Sequence, residues 1–214
     1  MSDHAYFGTY ARYDTASKRD AAVLLGADSV VGDLFEIEFV VEEGARVAWI
    51  KNRFDARVGY FDAETSHQLS LCAARGWNSV AILSFVAFTE QPSPGHYWGE
   101  VALVSYDPKN STTIVPFVER VAARMAQGVR VEVALQQKAL DQLAAAPASW
   151  LPAGRAALPP RVPGTVILKS RRKLSEGLIE RGRKGSIGCY IVSWAFILGL
   201  VALIIFGLKS CGVF

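Results

Sequence analysis

The chain has 214 residues and a formal net charge of +3, which is enough for about one domain of ordinary size. Its three cysteines, Cys72, Cys189 and Cys211, are too few and too scattered for a disulfide framework or a zinc site, and they fit a reducing compartment. The first residues, MSDHAYFGTYARYD, carry neither an apolar run nor an early basic cluster, so no secretory signal is expected.

In chain order, residues 1 to about 14 read as irregular. From Thr15, TASKRDAAVLLGAD reads as a short helix, with Thr15 or Ser17 as cap and Gly26 as stop. DLFEIEFVV then alternates Ile37, Phe39 and Val41 against Glu36, Glu38 and Val40, as a half-buried strand does. Glu42–Gly44 turn the chain back into a second strand, ARVAWIKN. Asn52–Asp55 make another turn, and ARVGYF is a short third strand. DAETSHQLSLCAARG reads as a helix capped by Asp62 or Thr65 and ended at Gly76.

Two long β segments follow, WNSVAILSFVAFTE and YWGEVALVSY, joined by a loop containing Pro92, Pro94 and Gly95. TTIVPFVERVAARMAQG places Val118, Val121, Ala122 and Met125 on one helical face. VRVEVAL is a further strand candidate, and Gln136–Ala146 a further helix. Pro147–Gly164 holds five of the nine prolines and reads as a semi-stiff tether. TVILKS is either a strand or the start of the segment before the membrane. The expected fold is α+β: a small, strongly curved antiparallel sheet or barrel of five or six strands with two or three helices.

Ile187–Leu208 contains no charged residue. Its 22 residues would span about 33 Å as a helix, against a hydrocarbon core of about 30 Å. It reads as a single-pass, C-terminal transmembrane helix. The net charge divides accordingly. Lys169, Arg171, Arg172, Lys173, Arg181, Arg183 and Lys184 precede the span, only Lys209 follows it, and residues 1–168 carry a net charge of −3. This imbalance puts the N-terminal domain on the cytoplasmic side and the seven cations against anionic lipid headgroups. The Ala- and Arg-rich composition leans bacterial, which would make the membrane the inner one. The expected division is a soluble domain at 1–146, a Pro-rich linker at 147–168, a basic juxtamembrane segment at 169–186 and the span at 187–208. Ala195 and Gly199 offer one small-xxx-small step, through which the helix could pair as a homodimer.

No catalytic residues, cofactor or metal site are read from the sequence. HExxH, CxxC, Walker-type and GxGxxG spacings are all missing. His67 and Cys72 are five apart on a helix, on different faces. The candidate binding residues are Trp49, Asn52, Arg53, Asp55, Arg57 and Tyr60 around two adjacent turns, with His96 and Trp98 at the start of a later strand. Rings beside guanidinium groups on loops suit a recognition surface. The alternative for Trp49, Tyr60 and Phe61 is that they fill the core of a small barrel.

The run NRFDARVGYFDAETSHQLSLCAARGWNSVAILSFVAF resembles part of the HIRAN domain, a small β-barrel module. Asn52, Phe54 and Asp55 match its Asn-x-aromatic-Asp turn, Val58, Gly59 and Tyr60 its Val-Gly-Tyr strand, and Leu69–Gly76 its short helix. The match covers roughly residues 35–88. It departs from the pattern in lacking the strand that usually separates the Asp from the Val-Gly-Tyr. The resemblance implies a barrel and, in the family's best-known setting, binding of single-stranded DNA ends. A domain of net charge −3 is a poor phosphate-binding surface. The leading expectation is therefore a tail-anchored protein that presents a cytoplasmic binding module for a protein or small ligand. The alternatives are a membrane-tethered nucleic-acid binder of HIRAN type and a membrane-tethered enzyme with an unrecognised site.

Overall fold

The computed structural model describes residues 5–26, 28–160, 163–172 and 196–198. Two units are distinguished, Met1–Arg172 and Lys173–Phe214. The first contains seven strands: β1 (Tyr6–Asp14), β2 (Leu34–Glu42), β3 (Ala45–Lys51), β4 (Arg57–Tyr60), β5 (Asn78–Thr89), β6 (His96–Tyr106) and β7 (Thr165–Lys169). It also contains α1 (Lys18–Leu25), α2 (Ala63–Ala74), α3 (Ser111–Ala126) and α4 (Gln137–Ala145), so four helices stand among the described residues where two or three were expected.

Six strands close an antiparallel barrel in the order β2-β3-β4-β1-β6-β5, with β2 returning to β5 through Leu34–Ile82, Phe35–Ala81 and Glu36–Val80. The expected curved sheet is thus a closed one. β5 is long enough to serve two partners on one side. Its first half closes the barrel on β2, and its second half pairs with β7. The seam between β1 and β4 is a single pair, Asp14 opposite Tyr60.

Side chains fill the barrel, as expected at this strand number. Tyr13, Phe35, Ile50, Phe61, Leu83 and Leu103 meet inside it, joined by Leu24 of α1 and Leu69 of α2. Asp62 caps α2, its carboxylate accepting from the Thr65 N–H at 2.8 Å. The buried Ser66 hydroxyl accepts from the Ala48 N–H at 3.0 Å and fixes α2 to β3.

A second core lies on the outer face of the barrel. Ile82, Ala102 and Val104 face outward from β5 and β6 and are covered by Ile114, Phe117, Val121 and Met125 of α3, by Leu143 of α4 and by Val131 and Val133. This explains β1, a strand where the sequence pattern reads as irregular. Its inner positions Ala11 and Tyr13 enter the barrel, while outward-facing Tyr6 and Tyr10 pack under the second core. With both faces covered, the strand shows no clean polar–apolar alternation. The Tyr6 and Tyr10 hydroxyls donate to the Val133 and Val131 carbonyls at 2.8 and 2.7 Å. Burial pushes both phenols far above their ordinary titration range. Gly8, between them, lets the Val133 carbonyl approach so closely that a Cβ would collide with it.

The VRVEVAL segment is held this way and contributes one isolated bridge, Val131–Arg155, in place of the expected strand. The Pro-rich stretch is likewise no free tether. Trp150 and Leu151 pack on the second core, Arg120 donates to the Pro147 carbonyl, and β7 follows directly. The compact unit therefore runs to Arg172, beyond the expected boundary at 146. Apart from 196–198, which are helical, the span 187–208 lies outside the described residues. Among the described residues, no helix is long and apolar enough to cross a membrane.

Candidate functional site

Asn52 is buried, and its Oδ1 accepts from the Phe54 and Ala56 N–H groups at 3.0 and 3.1 Å. It builds the turn with that oxygen, while its Nδ2 is buried with no hydrogen-bond partner among the described residues. Asp55 stands in the left-handed region at φ 60°, its carboxylate 3.1 Å from Lys51 Nζ. Arg57 makes a two-pronged ion pair with Glu38 at 2.8 and 3.1 Å. The bond from Arg57 holds the Glu38 carboxyl below its ordinary range. Arg53 and Phe54 are exposed at the tip, the guanidinium 5.1 Å from the ring centre.

The aromatic candidates form a row across the barrel. Strand register sets Trp49 opposite Tyr60, Tyr60 opposite Asp14, and Asp14 opposite Trp98. Trp49 and Tyr60 are half-buried, their ring centres 5.3 Å apart, and Trp49 Nε1 donates to Glu42 at 2.8 Å. Neither ring belongs to the barrel core, whereas Phe61 does. Trp98 is different. It is 7% exposed, lies edge-on to Phe85, and donates through Nε1 to Thr89 Oγ1 at 2.8 Å. Arg12 lies over it at 4.4 Å, binds Asp14 at 2.8 Å and touches His96 Nε2 at 3.2 Å.

Two clefts, each of about 520 Å³, flank the row. The first lies between α1 and the β5–β6 loop. Ala21, Leu25, Phe88 and Tyr97 give it apolar walls, and Ser17 and His96 give it polar groups. The second lies between the β2–β3 hairpin and α2, and it gathers Glu42, Arg46, Tyr60 and His67. The structure thus brings Tyr60 and His96 to clefts and leaves Arg53, Asp55 and Arg57 as turn and surface groups.

Two charged sites were not expected from the sequence. Arg130, from the loop after α3, donates to Glu100 at 2.5 Å, to Ser84 Oγ at 2.6 Å and to the Ala157 carbonyl at 3.1 Å, and it stacks on Tyr10. Burial pushes the Glu100 carboxyl up, and Arg130 offsets part of that rise. A bulge at Ser84, between Leu83 and Phe85 of β5, puts that hydroxyl within reach. Lys169 is 5% exposed and donates to the carbonyls of Leu24, Gly26 and Ser29 at 3.3, 2.9 and 2.7 Å. It caps the end of α1, which corrects its assignment to the membrane surface. Arg172 pairs with Asp33 at 3.3 Å and also belongs to the domain. Arg171 is exposed, while Lys173, Arg181, Arg183 and Lys184 lie outside the described residues.

No protein-family model, curated protein or solved structure matches this chain. Among the described residues, no three His, Cys, Asp or Glu side chains converge on a metal position. Cys72 is buried, which pushes its thiol up and away from the reactive thiolate.

Proposed function

We propose that this protein is a membrane-anchored recognition module. The uncharged stretch Ile187–Leu208 serves as its anchor, and the barrel domain binds a protein partner on the cytoplasmic side. Removing Lys169 and Arg172 from the juxtamembrane set leaves Arg171, Lys173, Arg181, Arg183 and Lys184 before the span against Lys209 after it, and that excess supports a cytoplasmic domain. The resemblance of residues 35–88 to a HIRAN domain is kept as a proposal of common barrel ancestry, without its DNA activity.

The observation that carries the reading is that three of the cations around the aromatic row are already paired with carboxylates. Arg12 is paired with Asp14, Arg57 with Glu38, and Lys51 with Glu36 and Asp55. A phosphate backbone would have to break these pairs, whereas an apolar or aromatic side chain can enter the α1 cleft between Leu25 and Phe88 without doing so.

The test uses the full chain purified from membranes in mild detergent. A partner recovered with the wild type is expected to be lost with Leu25→Glu, at the mouth of the α1 cleft, and kept with Glu64→Lys on α2. Retention of the partner by Leu25→Glu would overturn the cleft assignment. Salt-sensitive binding of single-stranded oligonucleotides by the same preparation would favour the nucleic-acid reading instead. Release of the chain by alkaline carbonate would overturn the anchor.

A further inference from the structure

We infer that β7 and the loop before it rest on the bilayer, so that the domain lies against the membrane surface. This rests on the anchor reading above. Among the described residues β7 is the end strand of the sheet, bonded on one side to β5. Along it Val166, Ile167 and Leu168 are 54%, 41% and 40% exposed, and Leu158 on the preceding loop is 54% exposed. Pro159 and Pro160 line one small cavity together with Val166 and Ile167, so the loop and the strand form a continuous apolar patch.

An outward lysine is one of several devices that protect an exposed edge strand; a short strand and an inward-pointing charge are others. Here the only charge on the strand, Lys169, is turned inward to the end of α1. What the strand shows outward is apolar, along Val166, Ile167 and Leu168, and apolar side chains of this size partition to the headgroup boundary.

The chain also ties this edge to the bilayer. The domain ends at Arg172, three residues beyond β7, and only residues 173–186 separate it from Ile187. Fourteen residues reach at most about 50 Å when extended and about 21 Å as a helix. Arg171, two residues after the strand, and Lys173, Arg181, Arg183 and Lys184 further along the sequence match anionic headgroups. A second copy of the chain would bring a flank of the same sign.

The test uses the full chain with Cys189 and Cys211 replaced by serine, reconstituted into phosphatidylcholine–phosphatidylglycerol vesicles. An environment-sensitive fluorophore is placed on Ile167→Cys or, as a second site, on Leu158→Cys, with Phe54→Cys as a distant reference. Lipids brominated near the headgroup are expected to quench the 167 and 158 labels at least twofold and to leave the 54 label unchanged. Three results would overturn the inference. One is quenching of the 167 and 158 labels by aqueous iodide as readily as the 54 label, while the chain floats with the vesicles and resists carbonate. Another is shielding without bromolipid quenching, accompanied by disulfide cross-linking between two unlabelled copies of the Ile167→Cys variant, which would place a second copy on the edge. A chain that does not float would remove the anchor reading and the inference together.

Discussion

The phenol of Tyr13 occupies the space that a Cβ on Gly99 would need. The same ring crosses Gly59 on the neighbouring strand, so one buried side chain lies over two glycines in the barrel interior. Replacing Gly99 by alanine forces the ring or the strand to move. The expected loss is about 1–3 kcal/mol, read from urea unfolding. The Tyr13 hydroxyl is buried and has no hydrogen-bond partner among the described residues, and burial pushes it far above its ordinary titration range. Tyr13→Phe is therefore expected to unfold no earlier than wild type, and it should relieve part of the Gly99→Ala loss in the double variant. Additive losses would place the strain elsewhere.

Lys169 joins two segments far apart in sequence, β7 and the end of α1. Substitution by methionine keeps the stem and removes the ammonium, leaving the Leu24, Gly26 and Ser29 carbonyls without this donor. The expected cost is about 2–3 kcal/mol, with faster amide exchange in the last turn of α1 and in β7. Unchanged exchange in α1 would show that the helix end does not depend on the ammonium.

The barrel is legible in the sequence where one face of a strand is wet, and illegible where both are dry. Ile37 and Phe39 alternate with Glu36 and Glu38, and the β2–β3 hairpin follows from that pattern. Val41, inward by the same alternation, is instead 73% exposed, because it lies near the hairpin tip, beyond the barrel interior. In β1, Gly8 and the two tyrosines serve a second core built by α3, and nothing local announces that layer. The prolines of 147–164 suggest a tether because they forbid regular structure, but they do not forbid packing, which Trp150 supplies. Asn52 stands out in the sequence because it builds its turn: two backbone N–H groups share its amide oxygen, a role that residue type and spacing alone do not separate from binding.

The Arg130–Glu100 pair sets a pH signature. Burial raises the Glu100 value in the folded state, so the folded protein holds that proton more tightly than the unfolded chain. Stability from this group therefore falls as pH rises from the ordinary carboxylate range through the raised value, and is flat above it. Glu100→Gln imitates the protonated acid and should remove this slope with little loss at neutral pH. Arg130→Met strands the buried carboxylate and should cost about 3–5 kcal/mol at pH 7, shrinking on acidification as the carboxyl takes up a proton. Stability curves for the three proteins between pH 4 and 8 decide it. A loss in Arg130→Met that grows toward acid would contradict the assignment.

Trp49 and Trp98 stand at opposite ends of one row yet should respond differently to alanine. Trp98 is enclosed by Phe85 and Ala87, bonded to Thr89 and covered by Arg12. Its removal opens a cavity in an enclosed cluster, and the expected loss is about 3–5 kcal/mol. Trp49 is half in water, touches Tyr60 from one side and ends on the exposed Glu42. Its removal forfeits a ring pair and part of an apolar contact, about 1–1.5 kcal/mol. Denaturant midpoints of the two variants, compared at equal slope, separate a structural ring from one free to meet a partner. Equal losses would return Trp49 to the core and leave the row without a recognition face.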